Sequence, residues 1–184
     1  GDFRAHVVSE NQRIRIEMNR LLRGILTGLV VSFGLGCGVY SPYGAQTSGA
    51  KTFAVFGFNP VNPLASASSA LLLTELMRDR IQRQSTLKLQ SSQAELMFEA
   101  DIVKWTVTPV NVQGGEVAAS NRLTIGLLVR YQNTLDPTLS FDRQFSRFAD
   151  YSSELDLFSI EEQLVEEIGD QLTQDVFNAT LGNW

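Results

Sequence analysis

Two stretches of the chain alternate apolar and polar residues with a period of two. In the first, Leu96, Phe98, Ala100 and Ile102 alternate with Met97, Glu99, Asp101 and Val103. In the second, Leu123, Ile125, Leu127, Val129 and Tyr131 alternate with Arg122, Thr124, Gly126, Leu128 and Arg130. This period predicts strands with one buried and one solvated face. Lys51 to Phe58 (KTFAVFGF) is aromatic and β-branched and predicts an earlier strand. Phe141 and Phe145 fit a fourth strand with Phe148 out of phase, and a bulge near Ser146 would reconcile them. Gln113-Gly114-Gly115 and Asn133 to Pro137 mark turns between strands.

Two other stretches repeat at the helical period. Leu72, Leu73, Leu76, Met77 and Ile81 form one stripe, with Glu75, Arg78, Asp79, Arg80 and Arg83 on the remaining faces. Asn62-Pro63 reads as the start signal of this helix, which should end near Gln84. Ile160, Leu164, Ile168, Leu172 and Val176 form the second stripe, widened by Val165 and Phe177. Ser159 and Glu162 suggest a capping box in front of it. Acids load this helix, and those near its start favour the helix dipole.

The predicted order is β-α-β-β-β-α. Two amphipathic helices and a four-stranded mixed sheet with one apolar face make an α+β two-layer sandwich, with both helices on that face. The opposite sheet face carries Glu99, Asp101, Lys104, Arg122, Thr124 and Arg130, and no predicted element covers it. An open face or edge of this kind can receive a partner.

The N-terminal region follows neither pattern. Met18-Asn19-Arg20-Leu21-Leu22-Arg23 precedes the uncharged run Gly24 to Gly36, and small residues lead to Cys37. This is the layout of an export signal. The run is too short for the roughly 20 residues that a bilayer span needs. Residues 1–17 are polar and of mixed charge, and read as a non-native extension or a misassigned start upstream of Met18. The segment Phe33-Gly34-Leu35-Gly36-Cys37 resembles a lipobox, although Gly34 stands where Leu is usual. The organisation expected is therefore signal peptide at 18–36, lipidated tether at 37–50, and folded domain at 51–184. Cys37 carries the covalent lipid, and acyl chains there would give stable anchoring. The competing reading is a free Cys buried in a core.

Composition narrows the function further. The chain has 15 Lys and Arg against 20 Asp and Glu. Five of those bases lie in the first 36 residues, leaving ten against seventeen acids beyond them. This balance argues against nucleic acid as a partner. One Cys and one His exclude an internal disulfide and the common zinc clusters. No cofactor or metal is expected. The single His6 lies in the discarded segment, and no Gly-x-Ser-x-Gly elbow is present. The remaining enzymatic alternative is an anchored hydrolase using Glu99, Asp101 or Asp150. Glu99 and Asp101 share one side of a strand, but without a positioned partner a solvated strand face is the better explanation of them.

Several motifs taken together resemble a known family. They are Gly36-Cys37-Gly38-Val39-Tyr40-Ser41, Asn121-Arg122-Leu123-Thr124-Ile125 and Phe145-Ser146-Arg147-Phe148-Ala149-Asp150-Tyr151, followed by the acidic last helix and Asn183-Trp184. Their order resembles LptE, the lipopolysaccharide-assembly outer-membrane lipoprotein, in its Bacteroidetes-type form. The resemblance implies a mixed sheet with two helices packed on it. It also implies a role: plugging the β-barrel LptD, assisting its assembly, and helping lipopolysaccharide into the outer leaflet. The implied location is the outer membrane, lipid-anchored, on the periplasmic side and in the barrel lumen. A plug needs polar contacts to a polar lumen and no catalytic group. Candidate contacts to lipopolysaccharide or partner are Arg122, Arg130, Arg143 and Arg147 on or beside the sheet, and Arg78, Arg80, Arg83 and Lys88 around the end of the first helix. Arg forks suit phosphate and carboxylate. An alternative is an anchored scaffolding lipoprotein that binds another envelope protein.

Overall fold

The computed structural model describes residues 45–110 and 120–182. The elements are β1 (Thr52–Val55), α1 (Ala67–Gln84), β2 (Lys88–Leu89), β3 (Leu96–Val110), β4 (Ser120–Asn133), a 3-10 turn (Pro137–Leu139), β5 (Phe141–Ser152) and α2 (Leu157–Leu181). The α+β sandwich is as the pattern predicts, but the sheet has five strands rather than four, in the order β2-β1-β3-β4-β5. The additional strand, β2, is two residues long and pairs parallel to β1, too short to leave a period in the sequence. β1 also runs parallel to β3, whereas β3–β4 and β4–β5 are antiparallel.

The alternation sorts the side chains as expected. Leu96, Phe98, Ala100 and Ile102 of β3 and Leu123, Ile125, Leu127, Val129 and Tyr131 of β4 are all buried. They join Leu73, Met77 and Ile81 of α1 and Val165, Ile168 and Leu172 of α2 in one core cluster. A bulge does occur, but in β3 rather than near Ser146. Ile102 pairs with Leu127 and Lys104 with Gly126, leaving Val103 as the extra residue. The bulge inverts the phase, so inward positions change from even to odd and Trp105 is buried. In β5 the register runs without a break through Ser146, opposite Gly126. Phe148 is out of phase because it belongs to the other face, where it is 46% exposed.

Both predicted helix starts move. α1 begins after Ser66, whose side chain accepts a hydrogen bond from Ser69 N. Asn62 instead closes a turn upstream, with its side chain accepting from Leu64 N. Asp156 takes the N-cap position of α2 without a side-chain capping bond, which places Ser159 inside the helix, where its hydroxyl donates to Asp156 O. No acid therefore occupies the first turn of α2. The two helices run parallel. Ser69 meets Glu161 near their starts, and Arg80 meets Thr173 further along. Gly169 sits at a close approach between them: a Cβ there would lie 2.6 Å from Leu76 Cδ1 and 2.8 Å from Leu73 Cδ2. Among the described residues no helix is long and apolar enough to cross a membrane.

Candidate functional site

The sheet face turned away from the helices is a polar surface organised by cross-strand pairs. Glu99 on β3 lies opposite Arg130 on β4, and Arg122 on β4 lies opposite Asp150 on β5. Opposite charges facing one another stabilise such a pair. Arg130 donates to Asp101 Oδ2 at 2.8 Å, to Glu99 Oε1 at 3.0 Å and to Asp101 Oδ1 at 3.2 Å. Asn59 Nδ2 adds a bond to Asp101 Oδ1 at 3.0 Å. The Arg130 bonds, followed by the Asn59 bond, hold the Asp101 carboxyl below its ordinary range. The bonds to Asp101, followed by that to Glu99, raise the Arg130 guanidinium further above its already high value. Glu99 and Asp101 do share one side of the strand, but both are committed to a single Arg. Asp101 thus stays ionised, whereas a general acid must carry a proton.

Arg122 grips Asp150 with two bonds of 2.7 and 2.8 Å, lowering the Asp150 carboxyl. Its guanidinium carbon lies 3.7 Å from the centre of the Phe148 ring. Arg122, Phe148 and Asp150 therefore form one unit across β4 and β5. Every second residue of β5 turns inward, so Arg143 and Arg147 stand on the helix side of the same strand. Arg147 bonds Asp175 of α2 at 2.6 and 2.7 Å. Arg143 stacks over Phe141 at 4.8 Å.

The candidates around α1 also separate. Arg80 reaches across to α2, bonding Thr173 Oγ1 at 2.9 Å, Gln174 Oε1 at 2.6 Å, Asp170 O at 3.0 Å and Asp170 Oδ1 at 2.9 Å. Arg78 pairs with Glu75 and donates to Val55 O at 3.0 Å. Arg83 lies 4.0 Å from Asp79. Lys88 is exposed on β2 at the sheet edge. Among the described residues, Lys51, Lys88, Lys104 and Arg143 make no side-chain ion pair. Lys104 is not among the sequence-predicted contacts, and it stands on the open face opposite Gly126 because the bulge at Val103 inverts the phase of β3. Five of the eight predicted bases, Arg78, Arg80, Arg122, Arg130 and Arg147, bind close carboxylates of this chain. Glu75 is a local partner, three residues before Arg78, but the partners of the other four lie 28 to 90 residues away in sequence, where no local spacing could reveal them.

Cys37, the signal peptide, the Gln113-Gly114-Gly115 turn and Asn183-Trp184 lie outside the described residues. Among the described residues no three His, Cys, Asp or Glu side chains are grouped to hold a metal ion.

A family model described as "LptE: Lipopolysaccharide-assembly" matches residues 50–180. The chain belongs to the LptE family. The matched range takes in every element of the sandwich except the last residue of α2. Its family thus works in lipopolysaccharide assembly in the bacterial envelope. No curated protein matches this LptE-family sequence. Among solved structures, a minor lipoprotein from Acinetobacter baumannii is 10% identical, with 72% of this chain and 97% of that chain covered and a TM-score of 0.44. Lipoprotein B from Nitrosomonas europaea is 14% identical, with 78% and 88% covered and a TM-score of 0.45. Rare lipoprotein B from Shewanella oneidensis is 10% identical, with 67% and 92% covered and a TM-score of 0.42.

Proposed function

We propose that this LptE-family chain is anchored to the outer membrane through lipid on Cys37 and seats in the lumen of an LptD-type β-barrel. There it plugs the barrel, helps it assemble, and assists insertion of lipopolysaccharide into the outer leaflet. The family match over residues 50–180 carries this reading. The open sheet face supports it chemically. A barrel lumen is polar, and the face offers fixed charge pairs whose side chains are already ordered, so little further ordering cost attends docking.

The experiment is a mild-detergent pull-down from outer membranes through a C-terminal tag. An LptD-type barrel should co-purify in stoichiometric amount. Recovery of a different envelope protein in its place would favour the scaffolding reading. Intact mass of the mature N-terminus tests the anchor: acyl mass on Cys37 is expected, and an unmodified Cys37 would reject it.

Direct lipopolysaccharide contact by the Arg122, Arg130, Arg143 and Arg147 group, or by the Arg78, Arg80, Arg83 and Lys88 group, is part of the same proposal. Of these eight bases, Arg143 and Lys88 make no ion pair and reach a phosphate without displacing a carboxylate of this chain. Charge reversal of each group, followed by binding to purified lipopolysaccharide, tests the contact. Unchanged binding in both variants would reject it.

A further inference from the structure

A cleft of about 390 Å³ opens where the two helices begin, lined by Ser66, Ser69, Leu72, Phe158, Glu161 and Glu162 among others. Phe158 is 87% exposed, more than any other large apolar side chain among the described residues. On the α1 side of this end, Leu64 and Leu71 are 67% and 61% exposed. Large apolar side chains gathered at one end of a fold mark an interaction surface rather than chance exposure. The floor of the cleft is polar and ordered. Ser69 Oγ bonds Glu161 Oε1 at 2.8 Å and Ser66 Oγ at 2.7 Å.

The charge here has one sign. From Phe148 onward the sequence contains nine Asp and Glu and no Lys, Arg or His. Asp150, Asp170 and Asp175 are paired with Arg122, Arg80 and Arg147. The other six, Glu154, Asp156, Glu161, Glu162, Glu166 and Glu167, have no basic partner among the described residues, and all fall before the midpoint of α2. The helix dipole favours Asp156 at the N-cap, but its effect fades within the first turn, which holds no acid, so it does not account for the other five.

We propose that this cleft docks a polypeptide segment of the barrel partner, one that places an apolar side chain between Leu72 and Phe158 and a Lys or Arg against Glu161 and Glu162. The proposal rests on the barrel reading above and adds where and by what chemistry the two proteins meet. Two other occupants fit worse. An acyl chain would strip water from Glu161 and Glu162 with no compensating charge. A second copy packed cleft to cleft about a twofold axis would set these acids against themselves.

The test replaces Phe158 with a photo-crosslinking benzoyl derivative of phenylalanine in the full chain, in its own membranes. After irradiation and tag pull-down, the crosslinked peptide is sequenced. The expected adduct is a segment of the co-purifying barrel, with Lys or Arg within about four residues of the crosslink. Glu161→Arg combined with Glu162→Arg should lower the adduct yield at least about tenfold. Glu162 is exposed and Glu161 half-buried, and an unchanged circular dichroism spectrum shows that the variant is folded. A barrel that co-purifies without an adduct at position 158 overturns the docking site and leaves the barrel reading intact. So does an adduct confined to lipid or to a second copy, or a yield indifferent to the double reversal. If no barrel co-purifies, the barrel reading falls and the docking site falls with it.

Discussion

Arg80 can serve as an interhelical clamp or as a phosphate contact, and Arg80→Met separates the two. Met keeps the apolar stem and removes only the guanidinium. The wild-type side chain is 11% exposed and makes four bonds to α2. Three go to neutral acceptors, each worth about 0.5–1.5 kcal/mol net. The fourth goes to the Asp170 carboxylate, which is 61% exposed, so solvent screening leaves it roughly 0–1 kcal/mol. Thr173 also donates to Asp170 O and Gln174 bonds Asn178, so both keep a partner in the variant. The net loss is then about 1.5–3 kcal/mol. For a domain of this size that lowers the melting temperature by roughly 5–12 °C. Thermal melting followed by circular dichroism measures it. Most of the loss should persist in 0.5 M salt, because short bonds to neutral acceptors are hardly screened. A melting temperature within about 1 °C of wild type would refute the clamp and leave Arg80 available to a ligand. Arg80→Lys should recover only part of the loss, since an ammonium cannot span the same fork of acceptors.

Other substitutions probe the same layers. Ser66→Ala removes the cap on Ser69 N and should cost about 1 kcal/mol in a denaturant titration. Gly169→Leu drives a side chain into the fully buried Leu73; the helices must separate, at a cost of about 1–3 kcal/mol, and an unchanged unfolding midpoint would show that they are not packed as described. Asp101 and Asp150 have folded pKa values below their ordinary 3.8, and Glu95 below its ordinary 4.5. Their contribution is therefore complete above the ordinary values and is lost as pH falls through the lowered ones. Arg130→Gln removes the largest cause of the Asp101 shift, so acid unfolding followed by circular dichroism should begin at higher pH than in wild type.

The central strands were legible because burial on one face imposes a period that survives in the sequence. Leu96 to Ile102 and Leu123 to Tyr131 are the clearest cases. The bulge at Val103 was not legible. Val103 itself fits the alternation as an outward residue, and the change of phase shows only after it, in Lys104 at an even position and in the burial of Trp105. Phe148 misled for a related reason. An apolar residue on a solvated face looks like a slip of register until Arg122 is found stacked on it. Helix starts were displaced because Asn62 and Ser159 satisfy local hydrogen bonds other than caps. The basic candidates were recognisable as bases but not as members of pairs. The cleft at Phe158 escaped notice because its two walls, Leu72 and Phe158, lie far apart in sequence.

One backbone contact decides how the fold would respond to being pulled. Gln46 N donates to Leu181 O at 2.8 Å, joining the start of the described domain to the end of its last helix. Tension on the chain upstream of residue 46 is thus divided between α2 and β1. β1 lies between parallel neighbours, β2 on one side and β3 on the other. A pull along its axis loads those hydrogen bonds together, in shear, instead of peeling them one at a time. If Cys37 is the anchor, thermal drift of the membrane would tug on the part of the sheet arranged to resist it, and the acidic cleft at the far end of α2 would stay outside the load path.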